Sequence, residues 1–166
     1  KGEADNYFSS LDGVNVIALD LYDGNVATTR EQASEYMQSA DQERIMKIIN
    51  AVNNWTGSEA KIATIGWCFG GGWSMQSSIA VNEKAVGCVV YYGMPESDAG
   101  KLETLNCKVW GVFASEEQWI NQDVVSTYEK AMDSAGKKYE THWFEADHAF
   151  ANPSNAKFNK EYAELV

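Results

Sequence analysis

The side chain best suited to nucleophilic chemistry is Cys68, within Gly66-Trp67-Cys68-Phe69-Gly70-Gly71-Gly72. Glycine two positions before and after a nucleophile is typical of the sharp strand-to-helix turn that presents a nucleophile above a sheet. The N-terminus of the following helix would lower the pKa of the thiol, and the Phe69 backbone N–H would point to a developing oxyanion. The alternative is a glycine-rich turn with an inert, buried Cys68. A phosphate-binding loop is excluded because no Gly-Lys-Ser or Gly-Lys-Thr follows the glycines.

A thiol nucleophile of this kind needs a base and an acid that orients the base. The chain has two histidines, His142 and His148. His142 lies inside a strand-like run, whereas His148 follows that run, in a loop at the carboxyl end of a parallel strand, where sites in such sheets occur. The orienting acid is expected in the loop after the preceding strand, where Glu116 and Glu117 both qualify by position.

The secondary structure around these candidate catalytic residues can be predicted from the hydrophobic pattern. Along the chain, strand-like runs alternate with helical runs. A nearly continuous apolar run such as 85–92 is typical of a parallel strand that is covered on both faces. This alternation predicts one α/β domain over residues 1–166, with a mostly parallel sheet of about five strands flanked by helices. The predicted strands are 14–19, 61–66, 85–92, 108–114 and 139–144, and the predicted helices include 44–55, 124–135 and 161–166.

Composition excludes several classes of protein. The net charge of −11 disfavours nucleic acid and anionic membranes as partners. No apolar run is long enough to cross a bilayer. The three cysteines, Cys68, Cys88 and Cys107, are widely spaced, so neither a disulfide framework nor a metal site is predicted. No cofactor motif is present, and reduced thiols without a signal-peptide pattern favour a cytoplasmic protein.

Several segments resemble the dienelactone hydrolase family, and the resemblance extends over nearly the whole chain. It is most specific around Cys68 and His148. Glu117 falls where the family has Asp, whereas Gly24 and Asn152 stand where the family has arginines that hold the substrate carboxylate. The resembling segments are 20–24, 27–29, 66–72, 91–93, 113–120 and 148–153.

The resemblance implies an α/β-hydrolase fold and cleavage of an ester or lactone through Cys68, His148 and Glu117, with an acyl-thioester intermediate. Dienelactone itself is disfavoured as the substrate because both arginines are replaced. Four aromatic residues are candidates for lining an apolar substrate pocket and are equally compatible with core packing: Trp67, Tyr92, Trp119 and Phe150.

The resemblance also implies that the chain is truncated at its N-terminus, because it begins close to the family's fourth strand. An unpaired interior sheet edge would favour association, so a homo-oligomer, a dimer or larger, is expected. The competing interpretation is a catalytically degenerate hydrolase domain that acts as an interaction or oligomerising protein. A redox-active thiol is disfavoured because no second cysteine lies near Cys68 in sequence.

Overall fold

The structure is a computed structural model that describes residues 12–165. The chain divides into two compact units, Lys1–Ile48 and Ile49–Val166. In the first unit, helix α1 (Arg30–Ser39) begins after Thr29, whose hydroxyl accepts a hydrogen bond from the Gln32 N–H at 3.2 Å. Helix α2 (Gln42–Trp55) begins one residue after Asp41, whose carboxylate accepts hydrogen bonds from the first-turn N–H groups. Such caps satisfy backbone donors that have no partner inside a helix.

The second unit contains a parallel sheet in which each strand lies beside the next one in sequence, in the order β1-β2-β3-β4. The strands are β1 (Ile62–Trp67), β2 (Ala85–Tyr91), β3 (Val109–Ala114) and β4 (Tyr139–Phe144). The last four strands predicted from the sequence are therefore found, with ends that differ by at most one residue. The α/β fold with a parallel sheet is confirmed.

The sheet has four strands rather than about five, because the predicted strand at 14–19 is not paired with any strand among the described residues. Val14, Val16 and Ile17 are 58%, 46% and 42% exposed. An apolar run shows that a segment can be a strand, but pairing also needs a neighbouring strand edge. Within the described residues, no strand pairs with this segment.

Four helices complete the second unit: α3 (Phe69–Val81), α4 (Ala99–Leu102), α5 (Gln122–Ser134) and α6 (Lys160–Glu164). Side chains from α3, α4, α5 and one face of the sheet form a continuous apolar cluster. It includes Met75 of α3, Phe113 of β3 and Met132 of α5, each at most 1% exposed. Between residues 12 and 165, each helix is too short or too polar to cross a bilayer.

A network of buried hydroxyl groups joins α3 to the first two strands. The Ser74 hydroxyl of α3 lies 2.9 Å from two acceptors for its one proton, the Thr64 hydroxyl of β1 and the Val89 carbonyl of β2. The Thr64 hydroxyl also lies 2.7 Å from the Ser78 hydroxyl, and the Cys88 sulfur lies 3.7 Å from the Ser74 hydroxyl. Each hydroxyl group of this network therefore has a partner, which reduces the free-energy cost of burying it. The network fixes the helix that follows Cys68 on the sheet.

Candidate active site

Cys68 lies on a strained turn between β1 and α3. Its φ and ψ are 55° and −121°, a conformation that non-glycine residues rarely adopt. The Cys68 N–H donates to the Tyr91 carbonyl at 3.0 Å, which holds the turn on the end of β2. A Cβ atom at Gly66 would lie 1.9 Å from the Gly70 carbonyl oxygen, so only glycine fits where the turn closes. This is the geometry that the glycine spacing predicts.

His148 and Glu117 complete a continuous set of contacts that starts at Cys68. The His148 Nε2 atom lies 3.0 Å from the Cys68 sulfur, and its Nδ1 atom lies 2.8 Å from the Glu117 Oε1 atom. The Glu117 side chain is 1% exposed, whereas that of His148 is 29% exposed. A buried carboxylate thus holds a partly exposed imidazole against a thiol. Glu116, the other candidate acid, is exposed to solvent.

The loops that carry the acid and the base are joined by backbone hydrogen bonds beyond the ends of β3 and β4. The Ser115 N–H donates to the Phe144 carbonyl at 2.8 Å, and the Glu116 N–H donates to the Ala146 carbonyl at 3.1 Å. These bonds continue the parallel ladder past both strands. Glu117 and His148 therefore lie on adjoining, mutually supported backbones, which fixes the distance between their side chains.

The contacts change the acidity of both reactive groups. Burial raises the pKa of the Cys68 thiol, but the hydrogen bond and charge of His148 and the Phe69 backbone N–H lower it, and the net shift is downward. Hydrogen bonds to Cys68 and Glu117 raise the pKa of His148 to about 10, against the opposing effect of burial. These opposite shifts favour transfer of the thiol proton from Cys68 to His148, which would leave a thiolate beside an imidazolium.

Tyr92 packs directly against the base. Its ring centroid lies 5.1 Å from that of His148, with 61° between the ring planes. The residue is 1% exposed and has a positive φ of 34°. Its hydroxyl is buried, and although the Ala151 backbone N–H approaches it, no standard hydrogen bond is made. Burial, more than any other effect, raises the pKa of this phenol, so Tyr92 stays neutral beside His148.

The other residues predicted to bind substrate or the oxyanion differ in how far they are exposed to solvent and in what they contact. Trp67 is partly buried and stacks on Tyr91, with the ring centroids 5.4 Å apart. Phe150 is fully buried in the cluster that also contains Tyr92, an arrangement that favours core packing. Trp119 is 76% exposed and lies two residues after Glu117. The Phe69 backbone N–H is close enough to the Cys68 sulfur to lower the pKa of its thiol.

Sequence reasoning missed two features that support the site. One is the contact between Tyr92 and His148, for which the only signal was the position of Tyr92 at the end of a strand. The other is the Asn155 side chain, which donates to the His148 carbonyl at 3.4 Å. Asparagine in a loop has many roles, so no pattern in the sequence could have assigned this contact.

Comparison with known proteins identifies the family to which the chain belongs. The sequence matches the dienelactone hydrolase family over residues 10–166. The chain belongs to the dienelactone hydrolase family. No curated protein matches this member of the family.

Solved structures have the same fold as this dienelactone hydrolase family member. A putative dienelactone hydrolase from Klebsiella pneumoniae subsp. pneumoniae is 22% identical, with a TM-score of 0.73 over 87% of this chain and 68% of that chain. A dienelactone hydrolase-like promiscuous phosphotriesterase from metagenomic libraries is 15% identical, with a TM-score of 0.60 over 76% and 54%. Arabidopsis thaliana SOBER1 is 12% identical, with a TM-score of 0.55 over 75% and 63%. The chain thus spans between about half and about two-thirds of the length of these structures.

Proposed function

We propose that this chain hydrolyses an ester or lactone through a Cys68–His148–Glu117 triad and a covalent acyl-thioester. The observation that carries the proposal is the unbroken series of contacts from sulfur to buried carboxylate, 3.0 Å and 2.8 Å long. The strained turn at Cys68 and the membership of the dienelactone hydrolase family support it. The lowered pKa of Cys68 supplies the nucleophile.

In the first half-reaction, the Cys68 thiolate attacks the substrate carbonyl carbon, and a C–S bond forms as the carbonyl π electrons move to oxygen. The Phe69 N–H donates a hydrogen bond to this oxyanion, a contact that is typically important for stabilising such intermediates. When the C–O bond to the alcohol breaks, the proton on His148 Nε2 passes to the departing oxygen. Glu117 stabilises the imidazolium until that transfer.

In the second half-reaction, neutral His148 takes a proton from water, and the resulting hydroxide attacks the thioester carbonyl carbon. The C–S bond breaks, the electron pair returns to Cys68 as a thiolate, and the acid is released. His148 keeps the proton that water supplied, so the resting ion pair is restored. Each cycle therefore consumes one ester and one water molecule and yields one acid and one alcohol.

The proposal is tested with p-nitrophenyl acetate, which releases a coloured phenolate. Wild-type chain is expected to show a burst of phenolate and to carry one acetyl group on Cys68 when acid-quenched samples are analysed by intact and peptide mass spectrometry. Cys68→Ala should show neither. Cys107→Ser is the matched control, because Cys107 is a half-buried thiol whose pKa burial raises to about 11.

Acylation at Cys107, or equal rates for wild type and Cys68→Ala, would overturn the proposal. The pH profile supplies a second test. With an alkyl ester, whose departing alkoxide needs a proton, activity should rise as Cys68 ionises, at a pH below the ordinary pKa of a thiol, and fall as pH passes through about 10, where His148 loses its proton. A single rise that continues above pH 10 would exclude His148 as the acid.

We also propose that the chain associates with itself through the outer edge of β1. Within the described residues, β1 pairs only with β2, and an unpaired strand edge is a template for another strand. Sedimentation velocity over a range of protein concentrations should show a dimer or a larger species. A monomer at every concentration would overturn this second proposal without affecting the first.

A further inference from the structure

The charges around Cys68 disfavour an anionic substrate. Thiolate, imidazolium and the buried Glu117 carboxylate together carry one net negative charge when the proton resides on His148. The exposed Glu116 and Glu145 flank the loops that hold this triad. The unit Ile49–Val166 contains no arginine.

One lysine lies close to the base, and a carboxylate already neutralises it. Lys157 forms an ion pair with Asp147, the residue before His148 in sequence. A substrate carboxylate would have to displace Asp147 and would also approach the negative triad. At a separation of about 8 Å at low salt, one negative charge weakens binding of an anion by about twofold in bulk water and by about thirtyfold at the effective dielectric constant of a protein surface. Added salt screens the effect.

The same edge of the sheet carries exposed apolar side chains. The site lies at the carboxyl ends of the strands, and the segments that follow β2 and β3 contain Met94 and Trp119, which are 55% and 76% exposed. The Met94 backbone packs on the first turn of α3: its carbonyl oxygen would lie 3.0 Å from a Cβ placed on Gly72. Solvent-exposed apolar side chains at a candidate site favour contact with an apolar ligand group.

We propose that the triad acts on uncharged esters whose acyl group is apolar and contacts Trp119. This rests on the proposed function and narrows it, because it names the charge and the polarity of the substrate and a residue that determines specificity. The two observations are independent of each other: the charge argument concerns the triad and Lys157, and the contact argument concerns the exposed edge of the sheet.

The charge of the substrate is tested with three p-nitrophenyl esters that share one leaving group: acetate, butyrate and hemisuccinate. The hemisuccinate has an acyl chain as long as butyrate but ends in a carboxylate. At low ionic strength, kcat/KM for butyrate is expected to exceed that for hemisuccinate by about tenfold. The ratio should shrink as sodium chloride is added. A hemisuccinate rate equal to or above the butyrate rate would overturn the proposal.

The role of Trp119 is tested with Trp119→Ala beside Trp55→Ala. Trp55 is 77% exposed, so the two substitutions remove matched side chains. Lys84 lies immediately before the amino end of β2 and donates to the carbonyl groups of Asn53 and Gly57, which flank Trp55 in sequence. Trp55 therefore lies near the amino ends of the strands, whereas the triad lies at their carboxyl ends.

Trp119→Ala is expected to lower kcat/KM for butyrate about fivefold, the contribution of partly burying two methylene groups, and to change the value for acetate less than twofold. Trp55→Ala should change neither. The proposed contact with Trp119 would be overturned if both substitutions changed kcat/KM for butyrate equally. It would also be overturned if Trp119→Ala lowered kcat/KM equally for acetate and butyrate. If no ester is hydrolysed in a Cys68-dependent manner, the proposed function itself fails. Turnover with the wrong selectivity overturns only the substrate class.

Discussion

Cys68 and Cys88 are the same chemical group in two neighbouring regions of one sheet, and their surroundings shift their acidity in opposite directions. Cys88 lies in the interior beneath α3, where burial raises the pKa of its thiol despite nearby hydroxyl groups. Cys68 is also penalised by burial, but a base and a backbone N–H outweigh the penalty. Hydroxyl groups stabilise a thiolate less than a charged imidazolium does. Reactivity is therefore determined by the loop that reaches each sulfur rather than by the residue type.

The largest expected effect comes from removing the base with His148→Asn. Burial would then act on Cys68 with much less opposition, and its pKa should rise above the ordinary value, as that of Cys88 does. Hydrolysis of p-nitrophenyl acetate is expected to fall by about 1,000-fold. Peptide mass spectrometry after iodoacetamide treatment at pH 7 would measure each thiol, and alkylation of Cys68 should slow by about 100-fold.

Cys88 is the internal control in that experiment. Its alkylation should be negligible in wild type and variant alike, until urea unfolds the chain. An unchanged rate of Cys68 alkylation in His148→Asn would mean that the turn alone activates the thiol. The difference in acidity between Cys68 and Cys88 would then be caused by backbone geometry rather than by the base.

Glu117→Gln is expected to have the next largest effect. The amide cannot stabilise the imidazolium as a carboxylate does, so the pKa of His148 should fall well below about 10. We expect kcat to fall about 100-fold, with the high-pH limb of the activity profile moving to lower pH. Glu116→Gln, which changes an exposed neighbour, is the matched control. A similar loss in both variants would point to the loop as a whole rather than to the Glu117 contact.

Two substitutions of Tyr92 distinguish the effect of its ring, which packs against His148, from the effect of its hydroxyl group. Tyr92→Phe keeps the ring against His148 and removes a buried hydroxyl that has no standard hydrogen bond, so activity and stability should be nearly unchanged. Tyr92→Leu loses the ring contact, and kcat should fall about tenfold as His148 gains freedom. The pH at which Cys68 alkylation is half-maximal should rise only in Tyr92→Leu. Equal pH profiles for both variants would reduce Tyr92 to a packing role.

The smallest effect on activity is expected from Ser74→Ala, which changes the surroundings of Cys88 instead of Cys68. The substitution removes the hydroxyl that bridges Thr64 and Val89, and the free energy of unfolding should fall by about 1–2 kcal/mol. Urea unfolding followed by tryptophan fluorescence measures this loss. Hydrolysis by the folded variant should stay within about twofold of wild type, and a larger loss would show that the hydroxyl network also affects the geometry of the turn at Cys68.

The sequence predicted most of the second unit because its strands are apolar runs bounded by clear turns. It did not predict α1, in which no residue is buried, so that no apolar stripe marks it. The run at 14–19, in contrast, was predicted as a strand because its composition suits one. Its side chains Val14, Val16 and Ile17 are exposed, however, and it pairs with none of the four strands. Pairing depends on a neighbouring edge, which a local pattern does not contain.

At the site, chain order predicted which loops would meet, because the carboxyl ends of parallel strands share one edge. It could not choose between Glu116 and Glu117, since consecutive side chains point in different directions and the direction depends on the turn. The backbone bonds of Ser115 and Glu116 to the next loop set that turn, and they leave Glu117 facing His148. The contact of Tyr92 with the base likewise depends on a positive φ that its neighbours in sequence do not signal.

The sequential order of the strands also has a consequence for synthesis of the chain on the ribosome. Because each strand pairs with the one made just before it, the sheet can extend as the chain emerges, without waiting for a distant segment. The turn with Cys68 lies between β1 and α3, whereas His148 follows β4. A nascent chain that ends before His148 therefore has Cys68 on its turn without the imidazole that lowers the pKa of its thiol, so that this shift arises only after β4 has been made.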